Sequence, residues 1–186
     1  GNCAFAYAIP LQEQFPIVFD SACGLESWGK LRLMQRYGVP IPDGLLFDHQ
    51  GEPTSQLSDA VAMAPAGGTL GFGLSMLCSI LAGPLCNGWM PIHKTRDTDA
   101  EDSQHFFLAM SPSHFCDVEK FNQEVKSSLE KIRALPAIDP NEPVRIPGDR
   151  GAATSEHFNQ DGIPVHTSLA EEIKARAIAK KVAVSW

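Results

Sequence analysis

The stretch Ala64–Gly83, APAGGTLGFGLSMLCSILAG, decides how the rest of the chain is read. Gly67, Gly68, Gly71 and Gly73 fall within seven residues, and a nearly unbroken apolar run follows them. From Leu74 onward, Leu74, Leu77, Cys78, Leu81, Ala82 and Leu85 recur at helical spacing. Met76 and Ile80 lie on the other side, where only Ser75 and Ser79 are polar. A helix that is apolar nearly all round belongs in an interior. Gly83 and Pro84 end it too early for it to cross a bilayer. The spacing therefore predicts a glycine-rich turn feeding a buried central helix. Such a turn can bind anions through its N–H groups and the helix dipole. Its glycines equally allow close helix–sheet packing. Spacing leaves both readings open.

The totals restrict what this helix can serve. A chain of 186 residues makes one domain with a core, or a large part of a bigger one. With 44% hydrophobic and 20% charged residues, the composition is that of a soluble globular protein. A net charge of -7 and the lack of a basic stripe argue against nucleic acid as the main partner, and no membrane partner is expected. Cys3, Cys23, Cys78, Cys86 and Cys116 are odd in number and form no CxxC pair. They read as free thiols in a reducing, cytoplasmic setting. His49, His93, His105, His114, His157 and His166 are not at metal-ligand spacing, so no metal site is expected. The glycine stretch is not a phosphate-binding P-loop, because Leu74 stands where the Lys must be. Nor is it a Rossmann fingerprint, whose third glycine falls on Met76.

Taken in order, the chain opens on GNCAFAYAIP, without an initiator Met, and reads as the middle of a fold. Residues 3–9 have the pattern of a fully buried strand, and Ile17–Phe19 that of a second strand pairing with it as a hairpin. A helix is expected over Leu25–Tyr37, closed by Gly38 and Pro40. Turns follow at PIPDG and Asp48–Pro53, then a short helix over Leu57–Met63. Asn87–Gln104 is a long polar loop, and His105–Met110 a buried strand. Val118, Phe121, Val125, Leu129 and Ile132 make a helical stripe capped by Asp117 and stopped by Pro136. Pro143–Pro147 suggests an edge strand, and a capping box from Ser168 to Glu171 opens the last helix. Interleaved helices and strands make the class α/β.

Several segments in this order resemble the malate/L-lactate/ureidoglycolate dehydrogenase family. GNCAFAYAIP is similar to the family's GTNPxAFAxP strand, PIVFDSACG to PxVLDMATS, and Val39–Gly44 to the EPIPEG turn. APAGGTLGFGLSM resembles LPxGGHKGYGLAL, HFFLAMSPSHF resembles HFFLAIDPxxF, and VRIPGDR resembles a VxxPGE-type turn. The resemblance covers nearly the whole chain, as a single piece over 1–186: the cofactor-binding and C-terminal part of a larger fold. It implies a non-Rossmann architecture, a mostly antiparallel central sheet flanked by helices, incomplete in this chain. It further implies a homodimer that transfers hydride between NAD or NADP and a 2-hydroxy acid or cyclic imino acid.

Residue by residue, the resemblance puts Asp20, Ser21, Ala22, Leu70 and Gly71 against the cofactor. Gly148, Asp149 and Arg150 fall at its adenosine-phosphate end, and Asn2 near the substrate. Each has a plainer reading: Asp20 can cap a turn, and Gly148 can serve its φ angle alone. The sequence departs from the family at Thr69-Leu70, where the family has His-Lys, and at Asn2-Cys3-Ala4, where it has Thr-Asn-Pro. The family's first half, with its His–Arg catalytic segment, has no match here. The proton donor and the carboxylate-binding cation are therefore expected on an N-terminal partner polypeptide completing the fold. Leu70 keeps two alternatives open. One is a lyase, hydratase or isomerase acting on a small carboxylate without nicotinamide; the other is a non-catalytic subunit.

Overall fold

The computed structural model describes residues 3–12, 14–93 and 104–184. All strand pairing in it is antiparallel. β1 (Ala4–Ile9) and β2 (Ile17–Ala22) form the expected hairpin, in register from Ala4 opposite Ala22 to Ile9 opposite Ile17. Tyr7 and Phe19 stand directly opposite and stack, with ring centroids 5.3 Å apart. Cross-strand aromatic pairs of this kind are what stabilise a ladder. The strand is not fully buried, however. A sheet of two strands leaves much of β1 in solvent, and Tyr7 and Val18 are exposed.

α1 (Trp28–Arg36) starts at Ser27, whose Oγ accepts from the Lys30 N–H at 3.1 Å. Gly38, at φ +66°, turns the chain away beyond its end. Leu31 of α1 is completely buried against Leu46 and Ala60. Leu46 belongs to a second sheet, β3 (Leu46–Phe47), which lies between β4 (Pro53–Thr54) and β5 (Ala62–Met63). The short helix expected over Leu57–Met63 is overturned here, since Ala62 and Met63 pair with β3. Two-residue strands carry no periodicity, so only their pairing reveals them.

α2 (Thr69–Ala82) is the expected central helix. Together with the 3₁₀ turn Pro84–Cys86 it gives an 18-residue stretch of mean hydropathy 1.7, apolar enough for a membrane span by length and composition. The α-helix itself has 14 residues, about 21 Å of rise against roughly 30 Å of hydrocarbon. Its burial differs from the expectation. Gly71 and Ser79 are its buried residues, while Leu70, Phe72, Met76, Leu77 and Ile80 are exposed. Only one side meets described structure, chiefly β1 and the chain just beyond β2.

Among the described residues His105–Met110 pairs with no strand, and it is exposed. The long loop expected over Asn87–Gln104 includes the 3₁₀ turn Pro91–His93, and its residues 94–103 lie outside the described ones. α3 (Val118–Arg133) is capped as expected by Asp117, whose Oδ1 accepts from the Lys120 N–H at 3.0 Å. Pro143–Pro147 touches β2 through one bond, Val18 N–H to the Pro147 carbonyl at 3.2 Å, and is not a strand. Its prolines lack the donors for a ladder. The sequence reading missed α4 (Asp149–Asp161), which carries no buried residue and so no apolar stripe. α5 (Thr167–Ala179) opens two residues earlier than the expected box: His166 is its cap, and Nδ1 accepts from the Ser168 N–H at 3.3 Å.

Two small cores hold these elements. Ile17, Leu129 and Ile146 join β2 to α3, while Leu31, Leu46 and Ala60 join α1 to the second sheet. Truncating the fully buried Leu46 to Ala should lower the unfolding free energy by about 2–5 kcal/mol, whereas Ile138→Ala, at a fully exposed position, should change it by less than about 0.5 kcal/mol. Urea midpoints of the two variants at constant slope check this.

Candidate functional site

The candidate residues line up along β2. At its carboxyl end Asp20 and Ser21 are exposed and Ala22 is half-buried. The Asp20 carboxylate makes no hydrogen bond or ion pair among the described residues. The Ser21 hydroxyl is spent locally, donating to the Ala22 carbonyl at 3.1 Å.

Just past Ala22 the chain meets the glycine-rich turn. The Leu25 N–H donates to the Ala64 carbonyl at 2.8 Å, and the Ala66 N–H to the Cys23 carbonyl at 2.9 Å. Gly67 and Gly68, at φ +63° and +60°, carry the chain over into α2. There the backbones are so close that a Cβ on Gly71 would stand 2.2 Å from the Ala66 carbonyl oxygen and 2.8 Å from that of Cys23. The close-packing reading of these glycines therefore holds at Gly71. Leu70 is 69% exposed beside it and brings no charge to the turn.

The other end of β2 receives Gly148–Arg150. Gly148, at φ +106°, lies where a Cβ would come within 3.0 Å of the Val18 nitrogen and 3.2 Å of the Pro16 carbonyl oxygen. Asp149 is engaged by Arg133 at the end of α3, through Nε at 3.2 Å and Nη2 at 2.8 Å. It also accepts from the Ile146 N–H at 3.0 Å. The guanidinium hydrogen bonds hold its carboxyl below the usual range, and the Ile146 amide adds to this. A carboxylate so occupied fixes α4 to α3, which is a structural task. Arg150 is exposed on the first turn of α4. Asn2 lies outside the described residues.

Two features escaped the sequence reading. One is Arg133, which no spacing links to Asp149. The other is a trio of thiols beneath the turn. Cys3 Sγ lies 3.1 Å from Ser79 Oγ, and Cys23 and Cys78 interact with each other. Burial pushes the Cys23 and Cys78 thiols up, so both stay neutral near pH 7 and act as packing groups. Among the described residues no three His, Cys, Asp or Glu side chains are grouped to hold a metal.

The family model described as malate/L-lactate dehydrogenase matches residues 1–174. The chain belongs to that family. Malate dehydrogenase from Pyrococcus horikoshii is 29% identical over 195 aligned positions, covering 99% of this chain and 53% of the relative. A solved structure of malate dehydrogenase from the same organism superposes with a TM-score of 0.76 at 25% identity, over 97% of this chain and 51% of that one. The (2R)-3-sulfolactate dehydrogenase (NADP(+)) of Chromohalobacter salexigens is 28% identical over 97% of this chain and 53% of the relative. The Δ1-pyrroline-2-carboxylate reductase of Ancylobacter novellus is 30% identical over 94% and 52%. The chain spans about half the length of the curated relatives it matches.

Two outcomes follow for this family member. Gly71→Ala drives a methyl into the carbonyls of Ala66 and Cys23, and should cost about 1–3 kcal/mol of stability, with faster amide exchange at Ala66 than in the parent. Asp149→Asn should cost about 1 kcal/mol, because the Arg133 pair is partly exposed. That difference is complete above the ordinary carboxylate value of about 4 and shrinks as pH falls through the lowered value, where the parent also loses its charge. Paired denaturation curves at neutral and acid pH read it out.

Proposed function

We propose that this chain is the cofactor-binding, C-terminal portion of an oxidoreductase that transfers a hydride between NAD or NADP and a small 2-hydroxy acid or cyclic imino acid. One observation carries the reading: three candidate segments are set out along a single strand. Asp20–Ala22 end β2, Leu70–Gly71 lie beside that end, and Gly148–Arg150 lie against its start. Val18 to Ala22 extends about 13 Å by strand rise, a run that suits an elongated dinucleotide better than a compact nucleoside. The NADP(+)-linked sulfolactate dehydrogenase supports a nicotinamide cofactor, and together with the pyrroline-2-carboxylate reductase it supports both substrate classes.

The residues present fit such a cofactor at two of three places. The Asp20 carboxylate is available to accept from hydroxyl or amide donors. Arg150 is a cation at the start of α4, where the positive end of the helix dipole also favours a phosphate. The third place is poorer, since Leu70 offers no charge and the turn contributes backbone shape alone. The nicotinamide, when bound, supplies or takes up the hydride; this chain's residues hold and orient it. Asn2 is assigned to the substrate. The proton donor and the cation for the substrate carboxylate belong to an N-terminal polypeptide that completes the fold, and the completed unit works as a dimer. Five free cysteines support a reducing, cytoplasmic setting.

The exposed Leu70 favours one second reading, a lyase, hydratase or isomerase on the same fold that dispenses with nicotinamide. Titration of the native protein with NADH and NADPH, followed by fluorescence and calorimetry, separates the two. Binding is expected, weakened about tenfold by Arg150→Ala through loss of one charge-assisted contact, and tightened by Leu70→Lys. No response to either nucleotide, with turnover of a small carboxylate in their absence, overturns the proposal.

A further inference from the structure

Three thiols meet where the β1–β2 hairpin, the glycine-rich turn and α2 come together, and the function above gives them no chemistry. Cys3 and Cys23 continue the β1–β2 register one step beyond Ala4 and Ala22, with the Cys23 N–H donating to the Cys3 carbonyl at 2.8 Å. Residues directly opposite across an antiparallel ladder share a face. In a hydrogen-bonded pair of this kind the Cα atoms stand about 5.5 Å apart, inside the roughly 4.4–6.8 Å that a disulfide spans. α2 supplies the third thiol, Cys78, a hydrogen-bond partner of Cys23. Its neighbour Ser79 is buried, with Oγ 3.1 Å from Cys3 Sγ. The family segments quoted above have Asn and Thr where this chain has Cys3 and Cys23. The opposed pair is thus a feature of this chain and not of the family pattern.

The thiols differ in access. Cys23 is 5% exposed, and burial pushes both Cys23 and Cys78 up, so neither is the first to meet an oxidant. Cys3 stands half-buried just ahead of β1. Cys86 and Cys116 are exposed, but their thiols donate to the backbone carbonyls of Leu81 and Pro112. Cys3 therefore combines some access to solvent with a second thiol directly across the ladder.

We propose that Cys3 and Cys23 form a reversible dithiol–disulfide site, oxidised by hydrogen peroxide, that cross-links the hairpin beside the glycine-rich turn. The peroxide O–O bond breaks as one oxygen passes to Cys3 Sγ, which becomes a sulfenic acid while water leaves. The Cys23 thiol then condenses with it: the S–O bond breaks, the S–S bond forms, and a second water carries off the oxygen and the Cys23 proton. The two sulfurs give up two electrons in all, and the peroxide takes them. Cys23 needs no access to the oxidant, because Cys3 brings the oxidising equivalent to it. Forming the bond turns Cys3 Sγ away from Ser79 Oγ. Oxidation thus exchanges a tie between β1 and α2 for one between the two strands. A dithiol reverses the change by exchange. Such transient bonds suit the reducing setting proposed above.

The native protein, purified from its source under reduction and then titrated with hydrogen peroxide, provides the test. Peptide mapping after alkylation is expected to show a Cys3–Cys23 linked peptide, two hydrogens lighter than its parts, that dithiothreitol separates. Amide exchange at Cys23 should slow roughly tenfold on oxidation, because the ladder is held shut there, while helix content stays unchanged. Cys3→Ser should abolish the cross-link. Cys23→Ser should stop the reaction at a Cys3 sulfenic acid that dimedone labels. Cys86→Ser combined with Cys116→Ser should leave the cross-link intact. No cross-link at Cys3, or one that persists in Cys3→Ser, overturns the pairing. A cross-link that forms only with loss of helix content overturns the site, since it then belongs to the unfolded chain. Each of these readouts is independent of nucleotide binding, so failure of the nucleotide titration bears on the activity alone.

Discussion

The absent side chain of Gly71 is the constraint on which the arrangement depends. It lets α2 come against the carbonyls of Ala66 and Cys23, closer than any Cβ would permit. That contact sets the glycine-rich turn beside the end of β2, and the bonds Leu25 to Ala64 and Ala66 to Cys23 lock it there. Gly148 makes a similar approach at the other end of the strand, against Val18 and Pro16. β2 is thus gripped at both ends by backbone that glycine alone allows to come so near, and the candidate residues are laid out between the two grips.

The helices with a strong local signal were legible in the sequence. α3 announces itself through its stripe and the Asp117 cap, and the β1–β2 hairpin through two apolar runs parted by a polar turn. What was not legible depends on long-range pairing. β3, β4 and β5 have two residues each, below any period, and exist because Leu46 meets Thr54 and Met63. α4 has no apolar stripe to betray it. The expected burial of α2 and of 105–110 went wrong for a different reason: their composition is that of interior segments, and the described chain covers only one side of α2 and leaves 105–110 exposed.

The candidate site was legible unevenly. The sequence placed Asp20–Ala22 and Gly148–Arg150 at the ends of local elements, but could not reveal that both belong to the same strand's surroundings. It also could not separate Asp149 from Arg150. Geometry does so: Arg133 occupies the first, and the second stays exposed. The resemblance to Lys-bearing relatives drew attention to Leu70, and the exposed position of that side chain makes its lack of charge a chemical fact about the turn rather than a detail of packing.

The two small cores carry a consequence for how the chain persists. Among the described residues, each has three buried members, with partly buried side chains packed around them. Such a fold gains stability from whatever binds its native form, by mass action: a ligand at 100 times its dissociation constant adds about 2.7 kcal/mol. The folded fraction then rises with the concentration of any ligand that binds the native form. At low ligand concentration the native form opens more often and is exposed to proteases.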